Sequence, residues 1–191
     1  ESLSGVISPK GLVEMLPYAF EGCKSLEGFV FPDSALSIPQ YAFYGGVSLS
    51  EVVIGEKVES IGENAFNNCS LKKVIITDSV LSIGNYAFYQ CKSLESVVIG
   101  NNVETIGNEV FTQCGLLESI VIPDSVISIG FNAFNKCTSL KTVNLPNSLK
   151  SIGQCVCNIR EGGFGGTTDW WTDELKERYS FRSDLSLLLV L

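Results

Sequence analysis

A motif of about 23 residues repeats along most of this 191-residue chain, and this repeat constrains the fold more than any other feature. An Ala-Phe or Val-Phe pair marks each copy, and successive phenylalanines are 23, 23, 22, 23 and 23 residues apart. The six phenylalanines are Phe20, Phe43, Phe66, Phe88, Phe111 and Phe134. A period of this length is typical of a stacked solenoid, because a single copy buries too little apolar surface to fold alone.

Each copy contains a short run of alternating, β-branched residues, as at 94–99, which predicts a strand. Pro or Gly follows five of the six runs and would end the strand there. A second extended segment, as at 58–62, and one helical or 3₁₀ turn at the Ala-Phe-x-x-Cys stretch complete the unit. The predicted fold is therefore a β-rich repeat solenoid, with one short parallel strand per repeat and the six strands stacked into one sheet.

The repeat divides the chain into three parts. Residues 1–11 form a lead-in, residues 12–153 form the solenoid of six repeats and the start of a seventh, and residues 154–191 form a divergent tail. In the seventh unit Val156 and Cys157 stand where Ala-Phe is expected, and nothing after them fits the pattern. The tail either caps the end of the solenoid or is disordered. Its Gly-rich stretch at 162–166 lacks the Lys-Ser or Lys-Thr of a phosphate loop and favours a linker.

Composition excludes several classes of function. The chain has no histidine, so catalysis by Ser-His-Asp or Cys-His groups and His-ligated metals are unavailable within it. A formal charge of −8 argues against nucleic acid as a partner. The apolar end at 185–191 is too short for a membrane span, and residues 1–15 lack the regions of a signal peptide. We expect no enzyme activity, no metal and no cofactor, and either a removed signal or a piece of a longer chain.

The repeated pattern Ile-Gly-x-x-Ala-Phe-x-x-Cys-x-x-Leu-x-x-Val-x-Ile-Pro resembles the BspA-type leucine-rich repeat over residues 12–153. The resemblance implies a ligand-binding solenoid of the kind found in surface or secreted proteins, several of which are adhesins for matrix proteins or other cells. It implies no catalytic residues. The expected function is a non-catalytic protein-binding or adhesion module at the cell surface or secreted, although a cytoplasmic location stays open. The alternatives are a structural spacer, or a repeat domain attached to an enzyme outside this chain.

Five cysteines occupy one repeat position: Cys23, Cys69, Cys91, Cys114 and Cys137. Stacking would place neighbouring copies about 5 Å apart, within the Cα range of disulfides, although their side chains would point the same way. A disulfide ladder or a metal strip is one interpretation. A row of buried thiols is the favoured one, because Gly46 interrupts the position and a structural role tolerates that better.

The middle residue of each strand run is the candidate site. If its two neighbours point into the core, this residue points outward, and five consecutive repeats place a β-branched side chain there. We expect a protein partner, such as a host matrix or cell-surface protein, to lie across this column, with charged residues at its margins. The candidate residues are Val30, Val53, Ile75, Val98 and Val121, with Glu51, Lys73, Glu95 and Glu118 at the margins.

Overall fold

The computed structural model describes residues 11–153 and, for the main chain alone, residues 6–7. Each repeat contributes one strand of three residues and one of two residues. The three-residue strands are β2 (Gly28–Val30), β4 (Glu51–Val53), β6 (Lys73–Ile75), β8 (Ser96–Val98), β10 (Ser119–Val121) and β12 (Thr142–Asn144). The two-residue strands are β1 (Val6–Ile7), β3 (Ser37–Ile38), β5 (Ser60–Ile61), β7 (Ser82–Ile83), β9 (Thr105–Ile106), β11 (Ser128–Ile129) and β13 (Ser151–Ile152). All pairings are parallel, which confirms the predicted solenoid.

The hydrogen-bonded sheets differ from the predicted single sheet. The three-residue strands fall into separate groups. β2 pairs with β4 on one side and with the two-residue β1 on the other, β6 pairs with β8, and β10 pairs with β12. The continuous sheet is the six-stranded one formed by β3, β5, β7, β9, β11 and β13. Breaks in the pairing fall between β4 and β6 and between β8 and β10. The first break lies next to the short repeat, where a residue is missing between Cys69 and Leu71, whereas no residue is missing at the second. The two-residue strands keep their register throughout.

A series of turns takes the place of the predicted helical or 3₁₀ turn at the Ala-Phe-x-x-Cys stretch. In the third repeat the N–H groups of Ala65 and Asn67 donate to carbonyls three residues earlier. Those of Asn64, Phe66 and Asn68 donate instead to carbonyls of the next repeat, at 2.8–2.9 Å. This alternation requires left-handed backbone, with φ of 56° at Asn64 and 58° at Asn68, so a helix cannot form. The turns thereby add inter-repeat hydrogen bonds to those of the sheets.

The glycine that follows β5, β7, β9, β11 and β13 is required by the spacing of the stacked repeats. A Cβ built on Gly62 would lie 2.5 Å from the main-chain nitrogen of Gln40 in the preceding repeat. The equivalent Cβ on Gly107 would lie 2.8 Å from the nitrogen of Asn85. Only glycine leaves room for the neighbouring main chain at this distance.

The core is a set of columns that run through the stack. The ring column consists of Phe20, Phe43, Phe66, Phe88, Phe111 and Phe134, whose neighbouring rings stack with centroids 5.3–5.7 Å apart and interplanar angles below 10°. Isoleucines of the two-residue strands and inward residues of the three-residue strands fill the space around it. Every repeat therefore buries the apolar side of its neighbour, as the period predicts.

Candidate functional site

The candidate site lies on the outward surface of the three-residue strands, which we call the strand face. Within β8, Val97 is buried, Val98 is exposed, and Ile99 directly after the strand is buried again. The alternation follows from the pleat, which points successive side chains to opposite sides of the strand. The register places Val98 beside Ile75 and Val53 beside Val30, so equivalent outward residues stand next to each other.

The aliphatic column is the line of five outward residues Val30, Val53, Ile75, Val98 and Val121. Their exposed fractions lie between 37% and 66%, so the structure places all five at the surface. Asn144 continues the same register position opposite Val121 and ends the apolar character of the line. An ordered row of exposed β-branched side chains is the kind of surface that commonly contacts another protein.

The four charged candidates flank the aliphatic column in two different lines. Glu51 and Lys73 begin β4 and β6 and point outward two residues before Val53 and Ile75. Glu95 and Glu118 lie one residue earlier in their repeats, directly before β8 and β10. All four are exposed, and the carboxylate of Glu118 forms an ion pair with Lys141, with Oε2 and Nζ 3.3 Å apart. The structure thus brings the nine candidates to one face.

A second charged line, which the sequence reasoning missed, follows the strands. Asp33, Glu56, Asp78 and Asp124 lie three residues after the aliphatic residue of their repeats, in the corner where the chain leaves the strand face. All four are exposed, and we call this line the acidic edge. The carboxylate of Asp78 accepts a hydrogen bond from the N–H of Asn101 at 2.7 Å. Aligning the repeats on their strand residues, with the missing residue placed after Cys69, would have revealed it.

A shallow groove of about 520 Å³ follows the other sheet, along the hydroxyl-bearing residues of the two-residue strands. This hydroxyl column consists of Ser37, Ser60, Ser82, Thr105, Ser128 and Ser151. Its inner members are half-buried, and Ser151 Oγ donates to Ser128 Oγ at 2.8 Å. Asn85 and Asn108 along the groove accept main-chain N–H groups of the next repeat through their Oδ1 atoms.

The repeated cysteines are free thiols in the described part of the chain. Cys69, Cys91, Cys114 and Cys137 are buried and form the thiol column, whereas Cys23 in the first repeat is exposed. Each buried Sγ donates to the carbonyl of the phenylalanine in the preceding repeat, as Cys91 does to Phe66 at 3.2 Å. Burial raises the pKa of Cys69 and of Cys137 to about 12, which keeps these thiols protonated and unreactive. This geometry favours the buried-thiol interpretation over the disulfide ladder.

Neither a metal centre nor a membrane span emerges from the described ranges. No group of three or more potential ligands comes together among residues 11–153. The same ranges contain no helix of the length and apolar character needed to cross a bilayer. Cys155 and Cys157, and the predictions for the tail at 154–191, lie outside the described residues.

An aromatic cluster lies on the turn side, the side of the stack formed by the Ala-Phe-x-x-Cys turns, and the sequence reasoning did not predict it. Tyr18 and Tyr41 stack with ring centroids 4.9 Å apart, and Tyr44 lies 5.7 Å from Tyr41. Tyr86 and Tyr89 repeat the second of these pairs two repeats further along. Tyrosine at equivalent repeat positions was the signal that could have revealed these contacts.

The family model described as "BspA type Leucine rich repeat region" matches residues 13–120 and 105–159 with six copies. A search of the curated proteins finds no match to the chain.

Solved structures of bacterial leucine-rich repeat proteins are similar to the chain. A leucine-rich repeat protein from Bacteroides ovatus is 34% identical with a TM-score of 0.75, and the match covers 80% of this chain and 40% of that one. A T. pallidum leucine-rich repeat protein is 32% identical with a TM-score of 0.75, covering 78% of this chain and 73% of that one. A protein from Eubacterium ventriosum is 25% identical with a TM-score of 0.51, covering 69% and 42%. The chain thus spans less than half of the B. ovatus and E. ventriosum chains.

Proposed function

This chain belongs to the BspA-type leucine-rich repeat family, and from that premise we propose that it is a non-catalytic protein-binding module of a surface or secreted protein. The proposed functional unit is the solenoid of residues 12–153, with residues 1–11 and 154–191 as flanking segments. The proposed partner is a protein, such as a matrix or cell-surface protein of a host.

The aliphatic column is the observation that carries this proposal. Its side chains are exposed although they are β-branched and apolar, and the core does not use them, because the inward positions of the same strands are already buried. Charged residues at both sides of the column give the strand face an apolar centre and a polar rim, the usual anatomy of a protein interface. A partner lying across the strands would contact several repeats at once.

The test replaces Val98 and Val121 together by serine and measures binding to host cells and to an extracellular matrix preparation. The two residues point outward, so the free energy of unfolding should change by no more than about 0.5 kcal/mol for each substitution. Binding should weaken at least about tenfold, which corresponds to a loss of about 1.4 kcal/mol. Unchanged binding by the folded double variant would exclude the strand face.

A matched control uses exposed leucines that lie off the strand face. Leu36 and Leu81 immediately precede β3 and β7 and are about half exposed. Replacing both by serine removes a similar apolar area from the surface, but binding should be retained. A structural spacer, the competing function, would show no difference between the two double variants, because it presents no partner-binding surface.

A further inference from the structure

The charges around the aliphatic column point to the chemistry of the partner. We propose that the strand face takes an extended protein segment that combines apolar and basic side chains, Lys or Arg, and this inference rests on the proposed function above. The apolar side chains of the segment would contact the aliphatic column, and its cations would face the carboxylates on either side.

The strand face carries more negative than positive charge. Its carboxylates lie at the entrance to the strands and along the acidic edge, and its lysines interrupt the entrance side. The eight carboxylates are Glu27, Glu51, Glu95 and Glu118 before the aliphatic column and Asp33, Glu56, Asp78 and Asp124 after it. The lysines on the entrance side are Lys72, Lys73 and Lys141, of which Lys141 is paired with Glu118, and Lys57 is exposed directly after Glu56 at the other side. Charge complementarity across an interface therefore favours a basic partner.

The acidic edge is the more uniform of the two sides. In the first three full strand repeats Asp33, Glu56 and Asp78 follow one another, and Asp124 resumes the line after Asn101. No lysine occupies this repeat position in the described residues. A segment that follows the stack would meet an acidic residue in most repeats, beside an aliphatic side chain in every repeat from Val30 to Val121.

The surface beside the hydroxyl column presents hydroxyl groups at the strand positions where the strand face presents the aliphatic column. It carries the exposed carboxylates of Glu59, Glu63 and Glu104, and Leu36 and Leu81 lie next to Glu59 in the neighbouring repeats. These three carboxylates therefore provide a control in which the same charge is removed away from the aliphatic column.

The binding experiment uses three synthetic peptides of equal length, which alternate Val with Lys, Val with Glu, and Ser with Lys. Affinity for the full chain is measured by fluorescence anisotropy at low salt and again at about 0.5 M salt, where surface charges are screened. We expect the Val–Lys peptide to bind at least about tenfold more tightly than either of the others. High salt should reduce its advantage over the Val–Glu peptide, which is electrostatic, but not its advantage over the Ser–Lys peptide, which comes from apolar contacts. Equal affinities, or no binding of the Val–Lys peptide, would overturn the inference.

Two variants with the same net charge test where the cation binds. The strand-face variant carries Asp33→Asn, Glu56→Gln and Asp124→Asn, and the control carries Glu59→Gln, Glu63→Gln and Glu104→Gln. Affinity for the Val–Lys peptide should fall about tenfold in the first variant and less than about twofold in the control. A single exposed ion pair contributes modestly to binding, but the contributions of three sites add. Equal losses would mean that only net charge matters and would contradict the proposal.

A substitution that strengthens binding separates the effect from loss of folding. Lys73→Glu removes a lysine from the strand face, whereas Lys136→Glu makes the same change on the turn side. The first should raise affinity for the Val–Lys peptide about threefold and the second should leave it unchanged. No gain from Lys73→Glu would count against the proposed site.

These outcomes are separable from the test of the proposed function. If the Val98→Ser and Val121→Ser pair lowers matrix binding while the three peptides bind equally, the strand face binds proteins but does not select basic segments. If that pair leaves matrix binding unchanged, the proposed function itself fails.

Discussion

The thiol of Cys114 donates a hydrogen bond to the main-chain carbonyl of Phe88 in the preceding repeat, with Sγ and oxygen 3.2 Å apart. The same bond joins Cys69 to Phe43 and Cys137 to Phe111, so it recurs along the thiol column. The Phe88 carbonyl also accepts the N–H of Cys91 in its own repeat at 3.2 Å, so the thiol adds a second hydrogen bond that links two repeats. The repeated cysteine is thus explained by its small size, its apolar character and its weak donor.

Thiol labelling of the folded protein should distinguish the exposed cysteine from the buried ones. Cys23 is exposed and should react rapidly with a thiol reagent, whereas Cys91 and Cys114 should react only after unfolding. Peptide mapping of the labelled protein measures the difference residue by residue. Labelling of Cys114 at the rate of Cys23 in the native state would contradict the buried column, and failure to label it after unfolding would indicate a disulfide.

Stability should fall at alkaline pH because of the thiol column. Burial raises the pKa of each of its thiols, to about 12 for Cys69 and Cys137, whereas an unfolded thiol ionises near 8.5. The stabilising contribution is complete below the unfolded pKa, because both states are then protonated. It is lost as the pH rises towards the folded pKa, by up to about 1.4 kcal/mol per pH unit for each thiol.

Urea unfolding at a series of pH values between about 7 and 11 measures this loss. Cys114→Ser is the control, since its hydroxyl keeps a donor for the Phe88 carbonyl but does not ionise in this range. The variant should lose stability less steeply than the original chain above pH 9. Parallel curves for the two proteins would show that Cys114 does not contribute.

Two glycines of the repeats should have opposite effects on stability when each is replaced by alanine. Gly62→Ala would bring a Cβ within 2.5 Å of the Gln40 nitrogen, so the stacked repeats must separate and stability should fall by about 3 kcal/mol. The Cβ of Gly46→Ala meets nothing closer than 3.1 Å, at a position where five other repeats hold cysteine. The substitution should be neutral or stabilise by about 0.5 kcal/mol through the unfolded state. Thermal and urea unfolding of both variants test this difference.

The ring column should dominate the stability of the stack. Phe88 is fully buried between Phe66 and Phe111, with centroids 5.4 and 5.6 Å away. Phe88→Ala should destabilise the protein by about 3–5 kcal/mol, because it leaves a cavity between two repeats. Val98→Ser on the strand face serves as the comparison and should cost far less. Similar losses for the two substitutions would contradict the assignment of inward and outward positions.

The solenoid, the strand positions and the outward orientation of Val98 could be predicted from the sequence. The 23-residue repeat indicates the stack, and the alternation of residues within each strand run indicates which side chains point outward. The sequence did not predict the left-handed backbone at residues such as Tyr86 and Gln90, which have no side-chain preference for it. Those conformations arise from hydrogen bonds to the next repeat, which exist only in the stack. The acidic edge was not predicted because Asp, Glu and Asn all occur at this repeat position, so no single residue type marks the line.

The short repeat shows that chain length and register are separable in this molecule. One residue is absent after Cys69, yet Ser60 still pairs with Ser82 and Ile61 still pairs with Ile83 across the deletion. Each line of side chains on the surface is therefore formed by one position of the repeated motif, whatever the length of the connecting turns. Duplication or loss of a whole copy would lengthen or shorten the molecule by about 4.8 Å and leave the remaining lines intact. Recombination between copies would thus change the length of the strand face without changing the packing of the core.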